Sequence, residues 1–412
     1  MVPAADRIAI SAMGCVSAAG RNPEEHLRSL NGRPVPCGPV PAETFATSLT
    51  FPVFSAPDEP LPSPTPDYPR LGQIAADLGP TARLALRAAL QALVRSGIEP
   101  ADLRKKRVGI CLGTTVGCAF NDEDYYRAWR QGAHPPLDPV RRYLRNNISA
   151  ILQEILGVSG PSLVVTNACA SGTDALGIAG NWLRSGRCDL AIAGGADALS
   201  RITCNGFAAL QLTDSAPCRP FNQNRQGLNL GEGAAVLILE NESSAHRARR
   251  RPIGWLRGYG CAADAWHPTA PHPEGRGLQA AITAALKDAM IPNRKQIAMI
   301  NGHGTATPSN DLAETSALAA IFTLDYRPPL ISTKSLTGHT LGAAGAIEAV
   351  FTLLALQNET VSGTRRCRQP DPAFPYRPLT ENEQVPLTGR IGLSQSLAFG
   401  GGNSCLVLEA AP

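Results

Sequence analysis

A chain of 412 residues, 43% apolar and 17% charged, holds enough apolar mass for a large core and for two packed halves. Its formal charge of +4 comes without an interleaved basic and aromatic pattern, which points away from nucleic acid and is compatible with an acidic protein partner. The eleven cysteines are odd in number, scattered and free of any CxxC pair, which argues against a disulfide framework or a zinc site and for a reducing cytoplasm.

The N-terminal stretch MVPAADRIAISAMG lacks a basic start followed by a long apolar run, so no signal peptide is expected. Arg7–Met13 alternates and predicts a first strand. Asn22 opens a short helix over Pro23–Leu30. Residues 34–69 carry eleven prolines and little periodicity, which predicts an irregular surface excursion and not a separate domain. A long amphipathic helix is expected over Leu71–Ser96, with Leu84, Ala88, Leu90 and Leu93 on its buried side. The basic run Arg104–Arg107 leads into a strand, Val108–Leu112, and reads as its solvated start before it reads as a binding patch. Residues 121–145 are polar, aromatic and Arg-rich, and their helical segments suit a dimer contact or a substrate tunnel.

A helix over Ile148–Leu156 precedes the most distinctive stretch, PSLVVTNACASGTDALGIAG. A strand, Ser162–Thr166, runs into a sharp turn at Cys169 and then a helix of small residues. A thiol at a helix N-terminus faces unpaired N–H groups and the positive end of the helix dipole, which favour thiolate. A lone cysteine is nonetheless more often a buried apolar residue. The next strand, Asp189–Ala193, is expected to end at Gly194 and Gly195. Ala234–Glu240 is another strand, and the basic His246–Arg251 reads as a solvated connection between halves.

The second half repeats the plan. Strands are expected over Ile253–Gly260, Ile297–Ile300, Leu330–Thr333, Arg390–Ser396 and Cys405–Glu409, and helices over Gly277–Ala289, Asp311–Ile321 and Thr340–Leu356. The helix at Leu341–Leu356 is too short and too interrupted by Glu348 and small residues for a membrane span. Alternating strands and helices predict an α/β architecture with mixed, mainly parallel sheets covered on both faces. Ligands in such folds gather at strand carboxyl ends. Cys169, His303, His339 and Phe399 each follow a strand shortly, so separate strand ends deliver them to one place.

His303 lies between Gly302 and Gly304, and His339 follows Gly338. Either alone reads as a satisfied structural histidine. Two of them at strand ends with a helix-capped cysteine point to chemistry. A cysteine with two neutral histidine donors suits attack on a thioester and stabilisation of an enolate or oxyanion. It does not suit a zinc site, which asks for a fourth ligand or a water-bearing position with clearer ligand spacing. Lys334, five residues before His339, is placed to orient or polarise the site.

NACASG around Cys169, NGHGTATPSND around His303, KSLTGHTLGAAG around Lys334 and His339, and LAFGGGNSCLVLE near the C-terminus resemble, in order, the motif set of the elongating β-ketoacyl-acyl-carrier-protein synthases. The resemblance spans nearly the whole chain and implies a thiolase-like α/β fold of two similar halves, with mixed sheets and buried helices in layers. It implies an N-terminal half, residues 1–250, carrying the nucleophile, and a C-terminal half, 251–412, carrying both histidines. By this resemblance Cys169 receives the acyl group. His303 and His339 bind the malonyl thioester carbonyl and stabilise the enolate, and Lys334 holds the second histidine motif in register. Phe399 is the gate, and the backbone N–H groups of Cys169 and Phe399 form an oxyanion hole. Thr305 and Thr307 contact the pantetheine arm. The implied reaction extends an acyl chain by two carbons from malonyl carrier protein. The implied partners are acyl carrier protein and a second subunit in a homodimer, with no metal or organic cofactor, no nucleic acid and no membrane.

Departures from the family pattern bear on chain length and gate motion. Asn167 and Ala170 stand where the family often has Thr and Ser or Thr. Ala306 fills a glycine position, and Gln395, Leu397 and Ala398 replace residues that are often Asn, Phe and Gly. The proline-rich excursion is unlike a standard fatty-acid enzyme, and with GLNLGEGA and HGTATPSND the chain resembles synthases of specialised polyketide pathways, including aryl-polyene ones. A thiolase would need a second catalytic cysteine in the C-terminal glycine loop, and a starter-type synthase would have Asn in place of His339. A Cys–His hydrolase is the remaining enzyme alternative. The other class is a chain-length partner subunit in a heterodimer, which usually lacks the nucleophile.

Overall fold

The computed structural model describes residues 7–412 apart from 46, 62–66, 76–77, 118–122 and 146. Three of the eleven prolines of the excursion, and the first two residues of the polar segment 121–145, therefore lie outside the described residues. Ten strands form one sheet: β1 Ile8–Ser17, β2 Val108–Gly113, β3 Ser162–Val165, β4 Leu190–Asp197, β5 Gly233–Asn241, β6 Gly254–Ala263, β7 Ile297–Asn301, β8 Leu330–Ile331, β9 Ile391–Leu397 and β10 Gly402–Ala410. Their spatial order is β8-β7-β9-β10-β6-β1-β5-β4-β2-β3.

That order repeats. Outward from β1 it runs β1-β5-β4-β2-β3, and outward from β6 it runs β6-β10-β9-β7-β8, the same path shifted by five strands. Strand directions repeat as well: the first two pairings of each path are antiparallel and the last two parallel. A short antiparallel pairing of Ile8–Ile10 with Gly254–Leu256 joins the two paths. Five of the nine pairings are thus antiparallel, not the mainly parallel sheet expected from the alternating pattern. The tight turn between β9 and β10 explains one of them, since so short a link permits only an antiparallel pair.

Five helices build the layers: α1 Pro80–Ser96, α2 Ser171–Arg184, α3 Arg276–Asp288, α4 Pro308–Ile321 and α5 Ala344–Gln357. Residues 344–356 of α5 are all buried, as a helix apolar on every side must be. It shares one core with Ala175, Leu176 and Ala179 of α2 and with residues of β1, β4, β5 and β10. The two central helices are therefore sandwiched inside the molecule. Outer helix α1 lays Leu84, Ala88, Leu90 and Leu93 against β1, β4 and β5, and α3 covers β6 and β10. Each leucine so buried contributes roughly 1.5–3 kcal/mol. No described helix is long and apolar enough to cross a membrane.

Two local expectations are corrected. The helix expected over Leu71–Ser96 is broken into a short turn, Leu71–Ile74, and α1. Pro80 has no N–H to continue a helix and holds Gly79 extended (φ −70°, ψ 165°), so it starts α1 instead. Gly194 and Gly195 do not end a strand; β4 runs through them to Asp197. They are glycines because of what lies against them: a Cβ on Gly194 would fall 1.9 Å from the Ala235 carbonyl oxygen, and one on Gly195 would fall 2.7 Å from that of Gly342. The expected helices Pro23–Leu30 and Ile148–Leu156 form with those bounds, each capped by an asparagine side chain. The polar segment contains helices Glu123–Arg130 and Asp138–Arg145. Arg107 pairs with Asp189 at the start of β2, as expected of a solvated strand start.

Candidate active site

Cys169 stands where β3 turns into α2. The turn forces Ala168 to φ 42°, and a single 3-10 turn, Ala168–Ala170, carries the cysteine into the helix. Ser171 fastens it, accepting the Asn167 N–H at 2.8 Å and donating to the Ala168 carbonyl at 2.6 Å. Gly172 lets this elbow press on the chain after His339, because a Cβ there would lie 2.8 Å from the Gly342 carbonyl oxygen. Asp197, at the end of β4, accepts hydrogen bonds from Thr114, Thr115 and the Gly342 N–H and so ties the same loops together.

His303 follows β7. Its backbone N–H and that of Gly304 both point at the Glu314 carboxylate on α4, which fixes the turn. Its Nδ1 accepts a hydrogen bond from Lys334 Nζ at 3.0 Å, and Lys334 also pairs with Glu348 of α5. His339 follows β8. Its N–H donates to Asn229 O at 2.7 Å, and its Nε2 lies 3.0 Å from Cys169 Sγ. The two imidazole rings are 5.2 Å apart and nearly perpendicular. One donor atom from each of Cys169, His303 and His339 falls within 4.8 Å of the others.

Burial sets the electrostatics. Both imidazoles are held well below the ordinary histidine range, first by desolvation and then by the positive charge of Lys334, so both are neutral. Burial pushes the Cys169 thiol up to about 12, against the opposing pull of Lys334 and of the Phe399 N–H. Burial thus works against the thiolate that the helix N-terminus favours, and a proton held on the thiol has to move when it reacts. Because Lys334 occupies Nδ1 of a neutral His303, the remaining ring proton sits on Nε2. Three donors meet here, but one is an N–H. The set suits hydrogen bonding to an oxyanion better than the open lone pairs of a metal site.

Lys334 differs from its expected place. Its ammonium bonds the first histidine, His303, and not the second; it meets the His339 motif only through its carbonyl, which accepts the Gly338 N–H at 2.8 Å. The physical reason is Glu348, whose buried carboxylate draws the cation toward α5.

A cavity opens onto these groups. Thr305 and Thr307 line it and share a hydrogen bond of 2.9 Å between their hydroxyls. Phe399 lies at its wall, half-buried and stacked on Phe207 with ring centres 5.5 Å apart. Phe207 also sets its edge against His339. The loop after Phe399 is tied to a neighbouring loop by the Gly400 N–H to Pro268 O at 2.7 Å and the Asp264 N–H to Gly401 O at 2.8 Å. All seven residues expected at the site therefore lie together. Sequence reasoning missed Glu314, Glu348 and Phe207. A carboxylate in the otherwise apolar α5 was the one available signal, since a buried charge asks for a partner such as Lys334.

Comparison with known proteins gives the same frame. Residues 5–245 match the family described as beta-ketoacyl synthase, N-terminal domain, and residues 253–368 match its C-terminal domain. The tetracenomycin polyketide synthase ketoacyl synthase alpha subunit of Streptomyces glaucescens is 35% identical over 344 residues, 79% of this chain and 80% of that protein. The 3-oxoacyl-[acyl-carrier-protein] synthase 2 of Staphylococcus aureus is 34% identical over 334 residues, with the same coverage of each. Among solved structures, the ishigamide ketosynthase/chain length factor superposes with a TM-score of 0.88 at 30% identity, over 99% of this chain and all of that one. The ketosynthase ApeO in complex with its chain length factor ApeC from Xenorhabdus doucetiae superposes with a TM-score of 0.83 at 30% identity over the full length of both.

Proposed function

The chain belongs to the β-ketoacyl synthase family, and we propose that it runs a decarboxylative Claisen condensation in two half-reactions on Cys169, His303 and His339. The observation that carries this reading is the 3.0 Å contact between Cys169 Sγ and His339 Nε2, with the Nε2–H of His303 facing the same space. In the first half-reaction Cys169 Sγ attacks the thioester of an acyl carrier protein. The thiol proton passes by way of His339 to the departing carrier thiol, and the acyl group stays on Cys169. Malonyl carrier protein then binds. Its C–C bond to the carboxylate breaks and releases carbon dioxide, and the electron pair forms an enolate whose oxygen is held by the His303 Nε2–H and by the His339 ring once its single proton has moved to Nε2. The enolate carbon attacks the acyl-Cys169 carbonyl, whose oxyanion is received by the N–H groups of Cys169 and Phe399. Sγ leaves and takes up a proton from solvent. Decarboxylation supplies the carbanion, so neutral donors are enough and no strong base is needed.

Thr305 and Thr307 hold the pantetheine arm in this scheme, and Phe399 moves to admit the second substrate. Lys334 fixes the His303 tautomer. Residues 1–250 and 251–412 are the two halves, a division supported by the repeated strand order and by the two family matches. The partner is an acyl carrier protein. A complete Cys–His–His set in one chain favours a homodimer, and the exposed edge strand β3 is a surface for it. The ishigamide and ApeO structures, which include chain length factors, make a related second subunit the alternative partner. The ten described cysteines are free thiols, which suits the cytoplasm. A specialised polyketide pathway remains the favoured setting, supported by the tetracenomycin and ishigamide relatives.

Intact-mass spectrometry on protein mixed with a panel of acyl carrier thioesters tests the reading. The expected result is one acyl adduct on the wild type and none on Cys169→Ala. No adduct with any chain length would overturn it in favour of a chain-length partner subunit.

A further inference from the structure

The proline-rich excursion is not used by the reaction as described, yet its residue Phe54 is fully buried. Phe54 is held by backbone bonds on both sides: its N–H donates to Leu230 O at 2.9 Å, and its carbonyl accepts the Glu232 N–H at 3.0 Å. The same segment, Leu230 and Gly231, bridges onward to His339, whose carbonyl accepts the Gly231 N–H at 3.0 Å. Excursion, middle loop and histidine loop thus form three adjacent runs of chain.

The ring of Phe54 reaches across that ladder. Gly338, the residue before His339, lies directly on it: a Cβ at Gly338 would sit 2.8 Å from Phe54 Cδ2. Gly338 itself has φ 64° and ψ −174°, a conformation reserved for glycine, so the Phe54 ring packs where the loop can carry no side chain of its own. Phe54 also shares an apolar cluster with Ala306, three residues after His303, and with Cys218. The Arg366 guanidinium lies 5.8 Å from the Phe54 ring centre and donates to the Cys218 and Ser335 carbonyls around it. One ring therefore abuts both histidine loops.

We propose that Phe54 is a positioning residue that sets His339, and through Ala306 the His303 loop, against Cys169. The proline-rich excursion is then a brace for the reaction centre, and its prolines reduce the slack in the segment that carries Phe54. This rests on the condensing reaction proposed above.

The test compares Phe54→Ala and Phe54→Leu with Phe51→Ala. Phe51 is a buried neighbour in the same excursion that packs in a different cluster. The readouts are carbon dioxide release from malonyl carrier protein, the alkylation rate of Cys169 by iodoacetamide, and Tm. For Phe54→Ala we expect kcat to fall about tenfold, ~1.4 kcal/mol of barrier, with KM within twofold. We expect about a threefold fall for Phe54→Leu. Phe51→Ala should lower Tm as much and leave kcat within twofold. A soluble Phe54→Ala with wild-type kcat, or an equal kcat loss in Phe51→Ala, overturns the proposal. If Phe54→Ala does not fold, an unchanged kcat in Phe54→Leu does so. Alkylation needs no substrate. If wild-type protein releases no carbon dioxide, the reaction assignment fails, while a threefold or larger drop in alkylation for the Phe54 variants alone still supports the brace. Equal alkylation in all three variants overturns it.

Discussion

Replacing Lys334 by methionine separates what holds the site together from what makes it react. Lys334 is 1% exposed and joins His303 Nδ1 to Glu348. Removing the cation strands a buried carboxylate, one of whose oxygens already has no protein partner. Breaking such a pair costs about 3–5 kcal/mol of stability. The second loss is at His303. With Nδ1 unoccupied, the ring proton is free to settle there and the N–H aimed at the enolate disappears. One oxyanion donor is worth about 10²–10³ in rate, roughly 3 kcal/mol. Acyl transfer to Cys169 uses His339 and should stay within about threefold. A double variant, Lys334→Met with Glu348→Met, removes both buried charges and should recover most of the stability. It should remain as slow as the single variant in releasing carbon dioxide. Carbon dioxide release, acyl loading by intact mass and Tm measure the three effects separately. Decarboxylation within threefold of wild type in either variant, or an equal loss of both half-reactions, would refute the tautomer argument.

Two further outcomes follow from the same region. Burial pushes Glu314 up to about 7, from an unfolded value near 4.5. The folded state thus binds more protons than the unfolded one between those values, and this group's contribution to stability is lost as pH rises from about 4.5 to 7, by ~3 kcal/mol. Glu314→Gln should flatten that part of a stability-versus-pH curve from chemical denaturation, and an unchanged slope would contradict it. Ala306 sits at φ 70° and is fully buried. Ala306→Gly relieves about 1–2 kcal/mol of backbone strain. It gives up about 0.8 kcal/mol of methyl burial and about 0.4–1 kcal/mol through a looser unfolded chain. The terms nearly cancel, so Tm should move by no more than about 2 °C in a melting experiment.

What could be read in advance was local. Asn22 and Asn147 cap helices whose bounds were legible, because a cap and an apolar face are contained in a few residues. Cys169, His303, His339 and Phe399 were legible because glycines and strand ends mark them. Gly194 and Gly195 were misread because their reason is a neighbouring strand and the turn before α5, not their own segment. Pro80 was passed over because the apolar spacing continues across it. Lys334 was placed with the wrong histidine because Glu348, its strongest partner, is fixed only when α5 packs. Glu314, Phe207 and Phe54 act through contacts between distant stretches, and no spacing in the sequence records them.

The five-strand offset has a consequence for descent. Under it β3 corresponds to β8, so the cysteine elbow and the His339 loop occupy equivalent stations on opposite sides of an approximate dyad. The 3.0 Å contact between them crosses that dyad. Two identical copies of an ancestral half-chain, paired as β1 and β6 are now, would have brought the same loop face to face with itself. At equivalent positions such a pair could offer two nucleophiles or two proton carriers, but not one of each. Fusion into a single chain removes that constraint, since each loop can then change without its mate. In this view the length of the protein reflects a division of labour that a symmetric ancestor could not make.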